Sequence, residues 1–188
     1  MSVEAKICGL STPETVDAAV AGGARWVGFV TYPRSPRHVA SNDVLKAAVE
    51  EAATQAAKHN VPRPKLLGVT VLTSLDRSDL EATGVHADPS DQVLRLADLA
   101  HASGLDGVIC SPLEIAALRR QCGPEFVLMV PGIRPVGSAA NDQKRAMTPR
   151  QAVDLGATNL VVGRPIYQAA DPRAAAEAIA REAGVNDL

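Results

Sequence analysis

The chain of 188 residues and 19.6 kDa, 46% hydrophobic with a mean hydropathy of +0.02, has the size and composition of one ordinary globular domain with ample core. Nineteen Lys and Arg against twenty-one Asp and Glu leave a net charge of -2, and one Trp, two Tyr and two Phe supply few rings, so neither a basic stripe nor stacking platforms for nucleic acid exist. Residues 1–7 carry no basic segment ahead of an apolar stretch, and no run approaches the ~18 apolar residues of a membrane span, so a cytoplasmic protein is expected.

Cys8, Cys110 and Cys122 are too scattered for a disulfide framework, and no His or Cys pair has metal-ligand spacing. Reduced thiols are expected, with no metal and no cofactor. A small anionic ligand suits this composition best.

In chain order, Ala5-Lys6-Ile7-Cys8 reads as a short strand, and Ser11-Thr12-Pro13-Glu14 as a helix start with a hydroxyl cap, a first-turn proline and a glutamate three residues after Ser11. That helix runs to Gly22-Gly23. Trp26-Val27-Gly28-Phe29-Val30 is a second strand, and the prolines of Thr31-Tyr32-Pro33-Arg34-Ser35-Pro36-Arg37-His38 require a loop. Val44, Leu45, Ala48, Val49 and Ala52 recur at helical spacing over residues 43–59. Val61-Pro62-Arg63-Pro64 breaks that helix before the strand Leu66-Leu67-Gly68-Val69-Thr70-Val71-Leu72, with Thr73-Ser74 at its end.

A short helix from Asp76 and a longer one over residues 90–102 follow, the latter placing Val93, Leu94, Leu96, Ala97 and Ala100 on one face before Gly104. After the strand Gly107-Val108-Ile109-Cys110, Ser111-Pro112-Leu113-Glu114 repeats the cap, proline and glutamate pattern. The next strand is Phe126-Val127-Leu128-Met129-Val130. Thr148-Pro149-Arg150-Gln151 opens another helix, and Asp171-Pro172 opens the last, which ends at Gly184. His38, His59, His86 and His101 fall in polar contexts and read as surface residues.

Two stretches stand out, Pro131-Gly132-Ile133-Arg134-Pro135 with the polar loop to Arg145, and Asn159-Leu160-Val161-Val162-Gly163-Arg164-Pro165-Ile166. Each is an apolar strand ending in an arginine turn. The consecutive apolar positions of Leu160-Val161-Val162 suit a parallel strand covered on both faces. Gly163 then admits a ligand close to the backbone, and Arg164 at a helix start adds charge to N–H donors. The pair reads as an anion clamp, the alternative being two surface charges on ordinary turns.

The phrases Gly-Gly-Ala-Arg-Trp-Val-Gly, Ser-Gly-Leu-Asp-Gly-Val and Leu-Gly-Ala-Thr-Asn-Leu-Val repeat one pattern of helix end, glycine, polar residues and buried strand. The chain is thus a string of (βα) units, an α/β fold of the TIM-barrel type. Right-handed crossovers make the strands parallel and gather the loops after them on one face, so Thr73, Arg134 and Arg164 converge. Strands begin near residues 5, 26, 66, 107, 126 and 159, six where a closed barrel needs eight. One domain over residues 1–188 forming an incomplete or open barrel is expected. Strand edges left bare favour a homo-oligomer associating edge to edge.

Residues 44–182 resemble the C-terminal part of orotidine 5'-phosphate decarboxylase, through Leu67-Gly68-Val69-Thr70-Val71-Leu72-Thr73-Ser74, Gly104-Leu105-Asp106-Gly107-Val108-Ile109-Cys110-Ser111, Pro131-Gly132-Ile133-Arg134-Pro135, Asp142-Gln143 and Val162-Gly163-Arg164-Pro165-Ile166. The resemblance implies a role in pyrimidine (UMP) biosynthesis. By it, Thr73 touches the nucleotide, Arg134, Gly163 and Arg164 hold the phosphate, and Gln143 reaches across from its loop. Residues 1–42 look instead like phosphoribosylanthranilate isomerase of tryptophan biosynthesis, through Lys6-Ile7-Cys8-Gly9-Leu10, Pro13-Glu14, Val27-Gly28-Phe29-Val30 and Tyr32-Pro33-Arg34-Ser35-Pro36-Arg37. That resemblance makes Cys8 a general base and Arg37 a substrate contact.

Each resemblance lacks part of its chemistry. The Asp-x-Lys-x-x-Asp array with which the decarboxylase family drives loss of carbon dioxide is missing, Asp142-Gln143-Lys144 being a superficial match. The isomerase's general acid belongs to a later strand, and Asp106, the nearest substitute, is expected to precede its strand on the opposite face. Three readings stay open: a decarboxylase relative that binds phosphate and nucleotide without full activity, an isomerase-like protein, and a non-catalytic hybrid or truncated barrel.

Overall fold

The computed structural model describes residues 6–30, 42–136 and 145–184. Its first elements are β1 (Lys6–Cys8), α1 (Pro13–Ala21), β2 (Trp26–Val30), α2 (Asn42–His59) and β3 (Lys65–Val69). Then come α3 (Arg77–Glu81), α4 (Pro89–Ala102), β4 (Gly107–Ile109), a 3-10 turn (Pro112–Glu114) and α5 (Ile115–Cys122). The last are β5 (Val127–Val130), α6 (Pro149–Asp154), β6 (Asn159–Leu160), α7 (Arg164–Tyr167) and α8 (Pro172–Glu182). The expected (βα) alternation with six strands is therefore present among the described residues, and these strands are hydrogen-bonded in chain order from β1 to β6. No described helix is long and apolar enough to cross a membrane.

Two compact units emerge, residues 1–70 with 95–108, and residues 71–94 with 109–188. In the first, β1 and β2 pair in parallel with Cys8 opposite Gly28, and β2 and β3 pair in parallel from Trp26↔Lys65 to Val30↔Val69. Registered parallel neighbours share a face. Val27, Phe29 and Leu66 are at most 1% exposed, as are Leu45 and Ala52 of α2, and each such large side chain contributes roughly 1.5–3 kcal/mol. A Cβ on Gly68 would stand 3.3 Å from Ala100 Cβ and 3.4 Å from Leu105 Cδ2, so the bare position lets α4 and the chain after it lie tightly against β3.

In the second unit β5 and β6 pair in parallel through Met129↔Asn159 and Val130↔Leu160. Ile115, Leu118, Leu128, Val130 and Ile133 form its fully buried core. Arg119 of α5 fastens the entry into β5 to the entry into β6. Its guanidinium donates to the carbonyls of Gly123 (2.8 Å), Phe126 (2.6 Å) and Gly156 (2.7 Å) and to Thr158 Oγ1 (3.0 Å).

Several local expectations are corrected. α1 is capped by Thr12, not Ser11, and Thr15 rather than Glu14 closes the box: Thr15 N–H donates to Thr12 Oγ1 (3.4 Å) and Thr12 N–H to Thr15 Oγ1 (3.2 Å). Thr148 and Gln151 form the expected box, and Asp171 caps α8. Of the apolar residues that recur at helical spacing in α2, Leu45, Ala48 and Ala52 are buried while Val44 is 43% exposed. β6 spans two half-buried residues and Val161 is 43% exposed, so Leu160-Val161-Val162 is not a strand covered on both faces. The chain turns out of the sheet toward Gly163 before a longer ladder can form.

A candidate anion-binding site beyond β5 and β6

Arg134 and Arg164 each stand four residues past the last registered pair, Val130 and Leu160. Parallel pairing thus delivers two arginine turns from neighbouring strand ends. After β5, Gly132 adopts φ 79°, a left-handed turn open to glycine. Ile133 then forms a bridge with Met147, where Arg134 N–H donates to the Met147 carbonyl (2.9 Å) and Met147 N–H to the Gly132 carbonyl (3.2 Å). The Arg134 backbone is fixed by this clasp. Its Nη1 donates to the Ile133 carbonyl at 2.8 Å, while Nε is buried without a hydrogen-bond partner.

After β6, Gly163 is the N-cap of α7 and makes no side-chain cap bond, and Ile166 and Tyr167 N–H both donate to its carbonyl at 2.8 and 3.2 Å. A Cβ on Gly163 would meet only Tyr167 Cε1, at an ordinary 3.6 Å. Packing alone does not require glycine there.

The third component lies beyond β3, where Thr73 is 7% exposed. Arg145, 8% exposed, reaches this turn from the other side: Nη2 donates to the carbonyls of Leu72 (3.1 Å) and Val71 (3.3 Å), and Nη1 donates to Glu114 Oε1 at 2.8 Å. Ser90 Oγ donates to the same carboxylate oxygen at 3.0 Å. Glu114 is 1% exposed, its Oε2 and Arg145 Nε being buried without partners. The sequence alone assigns neither residue a place in the site. Glu114 was expected to resemble a capping glutamate, but its side chain turns inward to the arginine. The available signal was a carboxylate in an otherwise apolar stretch between Leu113 and Ile115, whose burial demands a cation.

Thr73, Arg134, Gly163 and Arg164 thus fall in the same compact unit. Arg37 and Gln143 lie outside the described residues, as does His38. Cys8 belongs to the other unit, exposed on β1, its Sγ 3.0 Å from where a Cβ on Gly28 would be, with Lys6 Nζ 3.6 Å from the same point. Asp106 precedes β4 and is occupied by Arg63 Nη2 (2.8 Å), Lys65 Nζ (3.4 Å) and the N–H of Leu66 (2.8 Å), at the beginning of β3 rather than its carboxyl end. It is a structural anchor, as its position ahead of the strand implied. Burial, reinforced by the nearby Glu114 carboxylate, pushes the Cys110 thiol up to about 12. His59 pairs with Asp17 at 3.0 Å on the surface.

The orotidine 5'-phosphate decarboxylase / HUMPS family model matches residues 12–179. The orotidine 5'-phosphate decarboxylase of Paramagnetospirillum magneticum is 47% identical over 173 residues, 92% of this chain and 72% of its own length. That of Gluconobacter oxydans is 45% identical over 190 residues, 93% of this chain and 80% of its own. That of Pseudomonas putida is 54% identical over 128 residues, 68% of this chain, and the chain spans only 54% of that relative. Among solved structures, orotidine 5'-phosphate decarboxylase from Lactobacillus acidophilus superposes with a TM-score of 0.74 at 33% identity, over 98% of this chain and 76% of that one. The family match thus begins at residue 12, not near residue 44, and runs through most of the segment that looked isomerase-like.

Proposed function

Since the chain belongs to the orotidine 5'-phosphate decarboxylase / HUMPS family, we propose that it binds a phosphorylated ribose or nucleotide of the uridine monophosphate type, with Arg134, Gly163 and Arg164 at the phosphate and Thr73 at the nucleoside. The observation that carries this reading is the buried, unpartnered Nε of Arg134 in a turn reached from the strand beside the one leading to Gly163-Arg164. An orphaned guanidinium donor is costly unless an acceptor completes it, and a phosphate oxygen does so with charge assistance. Gly163, where no side chain crowds the turn, leaves room for that anion. Gln143 is assigned to the same ligand by the family resemblance.

The sequence holds no Asp-x-Lys-x-x-Asp array. In a decarboxylation, carboxylate repulsion strains the departing group and a lysine ammonium protonates the carbon left behind. The proposal is therefore ligand binding with impaired decarboxylation. Titration calorimetry with uridine monophosphate tests it: the chain binds, and Arg164→Ala weakens binding by about 2 kcal/mol or more. Absence of binding at millimolar ligand, or indifference to Arg164→Ala, removes the proposal.

A second reading is isomerase-like chemistry at the start of the chain, with Cys8 as base and Arg37 as substrate contact. It is favoured by the exposure of Cys8 beside the Lys6 ammonium. It lacks an acid, because Asp106 is held by Arg63 and Lys65. Isomerisation of a phosphoribosyl anthranilate that persists in Cys8→Ser ends this reading. If the chain restores growth neither to a strain lacking the decarboxylase nor to one lacking the isomerase, a non-catalytic barrel is the reading that stands.

A further inference from the structure

The buried pair Glu114–Arg145 has no role in the site as read above, yet it touches both of its flanks. Arg145 Nη2 holds the carbonyls of Val71 and Leu72, the two residues before Thr73. Two residues after Arg145, Met147 accepts the Arg134 N–H and donates to the Gly132 carbonyl. One guanidinium therefore ties the turn that carries Thr73 to the clasp that fixes Arg134. Glu114 sets that guanidinium's orientation through Oε1, itself held by Ser90.

A guanidinium suits this task because its rigid fork serves a carboxylate and two carbonyls at once. We propose that Arg145, oriented by Glu114, is a positioning residue that sets the spacing between the nucleoside-side turn at Thr73 and the phosphate-side turn at Arg134. The inference rests on the proposed nucleotide site. A single lysine ammonium at this position keeps the charge but cannot hold the same three acceptors in one plane. The site then loses its preorganisation, which appears as weaker binding by a folded protein.

The test compares wild type, Arg145→Lys and Glu114→Gln, each confirmed folded by its melting transition. Calorimetry with uridine monophosphate and hydrogen exchange at the Arg134 and Met147 amides are the two readouts. Arg145→Lys is expected to weaken binding about tenfold or more and to speed exchange at those two amides. The Val161 amide, bonded to the Val130 carbonyl within the sheet, stays as protected as in wild type. Glu114→Gln keeps a carbonyl acceptor for Arg145 and gives smaller changes in the same direction. A purely structural pair would lower the melting temperature yet leave the folded protein's affinity unchanged, and that outcome overturns the inference while sparing the nucleotide site. A wild-type chain that binds no uridine monophosphate ends both.

Discussion

Arg145 Nη1 donates to Glu114 Oε1 at 2.8 Å, across 31 residues of sequence, between side chains that are 9% and 1% exposed. Two charges taken out of water to this degree are costly to separate, because whichever remains has no solvent to replace its partner. The pair should therefore behave as a unit. Glu114→Leu alone is expected to cost about 3–5 kcal/mol of folding stability, whereas Glu114→Leu with Arg145→Met costs less than the sum of the single changes. Urea unfolding of the double-mutant cycle measures this, and strictly additive losses would mean that the two groups do not share their burial.

Arg119 offers a contrast, a guanidinium devoted to backbone carbonyls at the entrances to β5 and β6. Arg119→Lys forfeits several of these bonds at once and is expected to lose about 2–3 kcal/mol, since hydrogen bonds to charged groups are worth about 1.5–3 kcal/mol each. Its affinity for uridine monophosphate should be that of wild type. A large affinity loss without a stability loss would place Arg119 in the site and contradict its role as a staple.

The cysteines should separate by reactivity. Cys8 is exposed, while the buried Cys110 has its thiol pushed up to about 12. A thiol reagent at pH 8 is expected to label Cys8 in the native protein and Cys110 only on unfolding. The raised value has a second consequence. Below pH 9 the thiol is protonated in both states and contributes no pH dependence; between 9 and about 12 only the unfolded chain ionises, so stability falls as pH rises. The slope attributable to this one group approaches about 1.4 kcal/mol per pH unit. Cys110→Ala, compared with wild type in alkaline urea unfolding, should be shallower by that amount, and parallel slopes would refute the assignment.

Self-association is proposed on the two ends of the strand order. β1 and β6 have no second strand partner among the described residues, and Ile7 and Val161 are 42% and 43% exposed. Val27 and Phe29 of β2 add no apolar surface to such an edge, because both are buried at 0% and 1%. Sedimentation at micromolar concentration should show a dimer or larger species. A monomer with sharp amide signals and no dye-detectable apolar surface would overturn this.

The strands were legible because the fold writes the same local physics repeatedly. Gly23, Gly104 and Gly156 all take positive φ at the ends of helices, each shortly before a strand, and that recurrence is visible as a phrase in the sequence. The arginine turns were legible for a related reason, since the Gly and Pro residues around Arg134 and Arg164 mark where regular pairing stops. Glu114 and Arg145 were not legible. Ser111-Pro112-Leu113-Glu114 imitates a helix cap, and only the tertiary fold, which buries Glu114 beside Ser90 and Arg145, distinguishes an inward carboxylate from a capping one. β6 was overread because Val161 and Val162 have strand-like side chains, while the ladder ends where the chain departs for Gly163. Likewise Thr12 displaced Ser11 as the cap because Thr15 supplied a reciprocal hydroxyl that no glutamate pattern anticipates.

The most direct measurement of the central claim is calorimetry of wild type, Arg134→Ala and Arg164→Ala against uridine monophosphate and against uridine. If the two arginine turns hold phosphate, wild type binds the nucleotide far more tightly than the nucleoside. Each substitution should then erode that difference by roughly tenfold or more, while the weak uridine binding is unchanged. Equal affinity for nucleotide and nucleoside, or a preference that survives both substitutions, would contradict the account.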